Sequence, residues 1–489
     1  MKASPTLRRL WLASALLLTL SGLLPFVLIA NIDGYNLHQL ALLPISGLHP
    51  HPPSTDAAKS RRQKKVITYN ESEDVHIVFS TDCSGYQHWQ GIALVYAAQV
   101  ARHRGPITRI ASGCDSEQQY AISSEWRKID NGRGIFRVHF TPSNALNGGN
   151  YKYSNKPGGL RHWLNHAQPN IQESYVLLID PDMLPLLPIT PRLGQGLDTS
   201  NQVHRHKTKQ IEYIDRTSGM ARILRQDEPR LLDLIDRVQR GYPAGQHFGV
   251  GGTWARAETD KAKPNWVNFS KAFVCGDKSP CTTTTAADAD YKYAVGPVYL
   301  AHVDDWRRIA VAWWEAMPRV HQQHPHLLAE MFAMCMGTAN LTLPWTLLSN
   351  YMVSDPGTNS PTEAWSWIDD IAKDNSTAVC TGASSAELPY ATRGNKSSIS
   401  LPTTLHYCQR YKFAGHLFAK RKVPHDFFRC DGQYLAFDVH PILQELSSID
   451  PPPSKVQIRS AFMICHLIPM MNQALDSYKR DVCVSTIAE

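Results

Sequence analysis

Charge is sparse in this chain. Asp, Glu, Lys and Arg make up 19% of the 489 residues, against 43% hydrophobic. That balance excludes a disordered chain and points to a globular one. A broad basic face is also missing. The net charge of 50 − 43 = +7 is concentrated in Lys2, Arg8 and Arg9 and in "RRQKK" at 61–65. No aromatic side chains interleave with these charges, so nucleic-acid binding is not expected. None of the ten cysteines forms a C-x-x-C pair or a zinc-like cluster, and no internal repeat of fixed period is present.

What is present begins with an uncharged run. "LWLASALLLTLSGLLPFVLIA", residues 10–30, is about as long as a helix that spans hydrocarbon. A cleaved signal peptide is the alternative. Its apolar core is usually shorter, roughly 7–15 residues, and ends in a small-x-small site. Here Val27 stands three positions before Ala30 and the tail is bulky. A signal-anchor is therefore expected at 10–30, with 1–9 as a cytoplasmic tail. The basic residues before the anchor place the rest in the lumen of the Golgi or endoplasmic reticulum, as a single-pass type II protein. An even number of scattered cysteines agrees, because it suggests disulfides. Their connectivity is not legible, although Cys275 and Cys281 are close enough to close a small loop. Five N-x-S/T sequons, at Asn70, Asn268, Asn340, Asn375 and Asn395, add support.

Residues 31–74 contain "HPHPPSTDAAKSRRQKK" and read as a stem. Order is expected from Val75. "VHIVFSTDC", "GPITRIASG", "GIFRVHF" and "SYVLLID" read as strands. "YQHWQGIALVYAAQVARH" and "GGLRHWLNHA" read as the helices between them. Such alternation predicts an α/β fold with a mostly parallel central sheet, whose ligands lie at the carboxyl ends of the strands. The segment 194–295 is polar and loosely patterned. A strand-to-helix pattern returns at "GPVYLAHVDDWRRIAVAWWEA", "HLLAEMFAMCMGTANL" is helical, and 353–400 reads as a loop or insertion. The expected domain covers 75–450, followed by a C-terminal extension at 451–489.

The chemistry-bearing residues lie at strand and helix ends. "YVLLIDPDML" finishes a buried strand on Asp180 and Asp182. An acid-x-acid turn can hold Mg²⁺ or Mn²⁺ against a diphosphate, or it can be a solvated turn. "YSNKPGGLRHWL" sets Asn155 and Lys156 before a Pro-Gly-Gly break and a helix start, where phosphate or sugar hydroxyls can be held. An ordinary helix cap is the plainer reading. Asp304 and Asp305 follow another strand and can orient an acceptor, or cap a helix. Glu330 interrupts an apolar helix, so it is either paired or functional. His406, in "TLHYC", is a candidate third metal ligand or a structural histidine. Asp82 ends the first strand and is a candidate nucleotide contact.

The ordered set "HIVFSTDCSGYQHWQ", "GPITRIASG", "NKPGGLRHWL", "YVLLIDPDM", "GPVYLAHVDDWR", "AEMFA" and "LHYC" resembles the plant and algal peptidyl-serine α-galactosyltransferases. It is more distantly similar to the hydroxyproline O-arabinosyltransferases. The resemblance spans roughly Val75 to Asp431. It implies a GT-A-like nucleotide-sugar glycosyltransferase that moves galactose from a UDP-sugar to serine or hydroxyproline of secretory glycoproteins. It also implies that Asp180 and Asp182 bind metal and donor, with His406 completing the metal site. Glu330, or one of Asp304 and Asp305, would then orient the acceptor hydroxyl or act as the base on it. Two rivals remain: a glycosidase with a distant second carboxylate, and a non-catalytic carbohydrate-binding protein of the same fold.

Overall fold

From Val75 to Phe79 every side chain is buried, which requires a strand covered on both faces. This is strand β1 (Asn70–Thr81). Helix α1 (Gly85–Val100) follows, with the Ser84 side chain accepting from Gln87 N at its start. Strand β2 (Ile107–Ser112), helix α2 (Ser116–Asp130), strand β3 (Phe136–Thr141), helix α3 (Asn155–His166) and strand β4 (Glu173–Ile179) continue the alternation read from the sequence. The computed structural model describes residues 70–192, 203–205, 210–215, 220–225, 237–257, 266, 269–349, 351–360, 362–380 and 402–483. The expected tail, anchor and nearly all of the stem lie outside the described residues. So do the sequons at Asn268 and Asn395. Among the described residues no helix is long and apolar enough to cross a membrane.

After β4 come strand β5 (Met183–Pro185) and three short strands, β6 (Val203–Arg205), β7 (Gln210–Asp215) and β8 (Met220–Arg225), in an antiparallel sheet of their own. Strand β9 (Ala244–His247) and four small helices, α4 (Gly251–Arg256), α5 (Lys271–Cys275), α6 (Pro280–Thr283) and α7 (Ala286–Lys292), complete this polar segment. Strand β10 (Val295–His302) runs directly into helix α8 (Val303–Gln323), followed by helix α9 (Ala329–Asn340), strand β11 (Thr346–Leu348), strand β12 (Met352–Val353) and helix α10 (Trp365–Asp374). Strand β13 (Thr404–His406), the hairpin β14 (Arg410–Phe413) and β15 (His416–Ala419), and helices α11 (Val439–Leu446) and α12 (Lys455–Tyr478) follow, and a π-helical turn at Lys479–Cys483 ends the described chain.

The central sheet runs β11-β9-β10-β4-β1-β2-β3. Its neighbours pair parallel except β10, which is antiparallel to both β4 and β9. The sheet is therefore mixed. From β1 the chain steps outward through β2 and β3, then returns to the far side of β1 as β4. That reversal opens a crevice at the carboxyl ends of β1 and β4, the position where open α/β sheets hold ligands.

Residues 451–489, expected as an extension, are part of the core in their described portion. Phe462, Met463, Ile464, Leu467, Met471 and Leu475 on α12 are buried in the same apolar cluster as β1 and α1. Two disulfides tie this helix and its end to earlier chain, Cys380–Cys465 and Cys430–Cys483. Cys83–Cys114 and the small-loop pair Cys275–Cys281 are also bonded, while Cys335 and Cys408 stay free thiols.

Candidate active site

The apolar run of β4 stops at Asp180 because the backbone turns there. Met183 N donates to the Asp180 carbonyl at 3.2 Å, closing a four-residue turn with Pro181 in its second position, where the fixed φ of proline fits. The turn delivers Asp182 to the start of β5. Strand β5 pairs antiparallel with β13, which sets His406 opposite Met183, and Tyr407 N donates to the Asp182 carbonyl at 3.1 Å. His406 Nε2 consequently lies 3.5 Å from Asp182 Oδ1. One ligand atom each from Asp180, Asp182 and His406 fall within 4.8 Å of one another. Two carboxylate oxygens and an imidazole nitrogen are a donor set suited to a hard or borderline divalent cation, so the residues present fit Mn²⁺ or Mg²⁺.

Two lysines stand against the acids. Lys156 Nζ is 2.6 Å from Asp180 Oδ1 and 3.3 Å from Glu330 Oε1. Lys420 Nζ is 2.5 Å from Asp182 Oδ2. Burial works against the charge of Lys156, but Asp180 and Glu330 outweigh it and hold the ammonium above the usual lysine range. Burial also disfavours the Asp182 carboxylate. His406 and Lys420 reverse this and keep it well below the usual carboxylate range. Burial pushes Glu330 up to about 7, against the pull of Lys156. Tyr151 fixes the entry to α9, donating from its hydroxyl to the Leu327 carbonyl at 3.2 Å and accepting from Glu330 N at 3.0 Å. The cluster thus offers carboxylates to a cation and ammonium groups to an anion within one crevice.

The residues expected around the acid turn divide. Lys156 joins the acids, although no break precedes its helix: α3 begins at Asn155, and Pro157 sits in the first turn, where its missing N–H costs nothing. Gly158 and Gly159 mark close packing, since a Cβ at Gly159 would lie 2.9 Å from Ile110 Cγ2. Asn155 holds a loop instead, its Oδ1 accepting from Asn144 N at 2.7 Å. Asp82 sits at the end of β1, where its Oδ1 accepts from Ser84 N at 2.9 Å and its Oδ2 meets Lys152 Nζ at 3.0 Å.

Asp304 and Asp305 are not in the crevice, contrary to the expectation for them. Because β10 is antiparallel, its last residue, His302, pairs with Tyr175 near the start of β4. At about 3.3 Å per strand residue, the five positions from Tyr175 to Asp180 put these acids roughly 17 Å or more from the turn. There Asp304 meets Arg240 at 3.3 Å, and Asp305 Oδ2 accepts from Gly241 N at 2.6 Å. Two partners escape a reading of the sequence. Lys420 is one of three basic residues in "AKRKV", and nothing in the run separates it from Arg421 or Lys422. Tyr151 stands in "GGNYKYS" with no pattern to mark it.

No family model matches the chain. It is 30% identical over 162 residues to a peptidyl serine alpha-galactosyltransferase of Arabidopsis thaliana, covering 30% of this chain and 19% of that protein. A protein of the same name from Chlamydomonas reinhardtii is 29% identical over 114 residues, covering 22% and 14%. Over these stretches the chain is related to the peptidyl serine alpha-galactosyltransferases. It spans less than a fifth of the length of the curated relatives it matches. Among solved structures, the galactosyltransferase LgtC with donor and acceptor sugar analogs gives a TM-score of 0.31 at 12% identity, over 68% of this chain and 87% of that one. The WbbM bifunctional glycosyltransferase gives 0.31 at 10%, over 59% and 41%. Likeness at that level decides nothing about fold or chemistry.

Proposed function

We propose that this chain is a metal-dependent glycosyltransferase of GT-A-like architecture. It transfers a sugar, galactose in the first instance, from a UDP-sugar to a hydroxyl of a secretory-pathway protein, serine or hydroxyproline. The observation that carries this reading is the charge-alternating cluster of Asp180, Asp182, His406, Lys156 and Lys420 at the carboxyl ends of β1 and β4. The relationship to the galactosyltransferases named above supports the donor and acceptor classes.

Asp180, Asp182 and His406 would hold the divalent cation, which supplies Lewis-acid neutralisation of the diphosphate leaving group. Lys420 lies beside Asp182 and is placed to pair with a phosphate oxygen once that carboxylate is otherwise engaged. Lys156 screens Asp180 and is itself held by Glu330. Glu330 therefore acts through Lys156 as a positioning residue rather than as a base on the acceptor. Asp82, on the other wall of the crevice, is the proposed nucleotide contact. Burial of the cluster strengthens each of these interactions relative to bulk water.

Location in the Golgi or endoplasmic reticulum, with residues 10–30 as anchor and 31–74 as stem, belongs to the same proposal. The four disulfides support it, since they persist in oxidising compartments. The deciding experiment is UDP release from a panel of UDP-sugars with Mn²⁺, with and without serine or hydroxyproline peptides. Peptide-stimulated release from UDP-galactose supports the reading. Release from UDP-arabinose alone would move the donor assignment to a pentose. No release from any donor would remove the catalytic reading.

A further inference from the structure

Helix α3 carries a second group of metal-ligating side chains, away from the acid turn. His162 and His166 lie four residues apart, and the edge strand β3 brings His139 against them. His139 Nε2 is 2.8 Å from His162 Nδ1, with ring centroids 5.1 Å apart. The His162 and His166 rings have centroids 4.6 Å apart. We propose that His139, His162 and His166 form a binding site for a nitrogen-preferring divalent ion, Zn²⁺ in particular.

Histidines at i and i+4 on one helix face present both imidazoles to a single ion. Zn–N bonds of about 2.0–2.1 Å at a tetrahedral angle put two ligand nitrogens about 3.3 Å apart. As placed, one nitrogen of the His139–His162 pair donates to the other, so an ion would replace that hydrogen bond and turn both lone pairs toward itself. His166 is exposed and would have to turn its ring to take the third position, leaving the fourth to water. The ligating form is the neutral imidazole, and it is the form favoured at His139 and His162. Burial lowers His139 to about 4, with His162 and His166 adding to the effect, and burial followed by His166 lowers His162. Three nitrogens and no carboxylate distinguish this donor set from that of Asp180, Asp182 and His406, so the two sites prefer different ions. A bound ion would clamp β3 to α3, the helix whose first turn carries Lys156.

The test is Zn²⁺ calorimetry on the full-length, tag-free protein, comparing wild type with His162→Ala, His139→Asn and Asp182→Asn. The expected result is one Zn²⁺-binding event kept in wild type and Asp182→Asn, and weakened at least tenfold in both histidine variants. A Co²⁺ absorption band should follow the same pattern. His162 is partly exposed, so His162→Ala decides the matter if His139→Asn folds poorly. Equal Zn²⁺ affinity in wild type and His162→Ala would overturn the proposal. Loss of the event only in Asp182→Asn would overturn it too, by assigning the ion to the acid turn.

Discussion

Lys420 and Asp182 are 238 positions apart in sequence, yet Lys420 Nζ lies 2.5 Å from Asp182 Oδ2. Asp182 is buried at 6% exposure, so the acid turn after β4 is not a solvated one. Each acid has its own lysine, and each lysine comes from a different element. The turn can be a closed ion-pair network or a site in which those pairs yield to a cation and a diphosphate.

Lys420→Met separates the lysine that matters from its neighbours. It leaves Asp182 buried with only His406 beside it, and breaking a buried pair by removing one partner costs about 3 kcal/mol. Arg421 and Lys422 are exposed, so Arg421→Ala and Lys422→Ala should stay within about 0.5 kcal/mol of wild type. Urea unfolding of the three variants checks this. Equal stability in all three would contradict the geometry around Asp182.

Glu330 gives a pH dependence with a definite sign. Burial raises it from 4.5 to about 7 in the folded state, so the folded protein binds more protons than the unfolded chain between those values. Stability contributed by this group therefore falls as pH rises from about 4.5 to about 7, and is level above. Glu330→Gln lacks the titration. Its stability relative to wild type should improve by about 2–3 kcal/mol between pH 5 and pH 8. Unfolding free energies at the two pH values test it, and a constant difference would count against a protonated Glu330 near pH 6.

Much of this arrangement is legible in the sequence because local pattern and global fold agree there. The β1, β2, β3 and β4 runs are apolar strands bounded by helices, and Asp82 and Asp180 fall at their carboxyl ends as the alternation requires. Cys275–Cys281 is legible as a small loop. The direction of β10 is not, since an apolar strand reads the same whether it runs parallel or antiparallel, and Asp304 and Asp305 move to the other end of the sheet with that choice. Lys420 is invisible for a related reason. Its role comes from the β14–β15 hairpin, which selects one lysine from a basic run. Residues 451–483 look like an appendage in sequence because amphipathic helices do not announce which core they enter.

Moving Asp304 and Asp305 out of the crevice has a measurable consequence. Asp305→Ala should cost about 1 kcal/mol, because Asp305 Oδ2 accepts from Gly241 N and lies in the first turn of α8. Asp304→Ala, whose partner Arg240 is exposed, should be near neutral. Neither should change UDP affinity. A loss of UDP binding in either variant, measured by calorimetry, would place these acids in the site after all.

The C-terminal helix is expected to be indispensable. Ending the chain at Asp450 removes Phe462, Met463, Ile464 and Leu467 from the core and opens two disulfides, so the product should show no cooperative melt by circular dichroism. The milder Cys465→Ser removes one cross-link of sequence separation 85 and should cost about 2–5 kcal/mol. A folded, cooperative product of the truncation would show that 451–489 is dispensable.

In the proposed function the acids after β4 bind a cation and, through it and the lysines, a nucleotide diphosphate. The most direct measurement is calorimetry of UDP with Mn²⁺ on wild type and Asp182→Asn, each repeated with chelator, on samples whose folded state has been checked by circular dichroism. Asparagine keeps the shape and one oxygen but removes the charge that offsets the metal. Wild type should bind UDP at least tenfold more weakly with chelator, and the folded mutant should be weak in both conditions. UDP affinity that is unchanged by the chelator and unchanged in Asp182→Asn would contradict the account, leaving Asp180 and Asp182 as members of a structural ion-pair network.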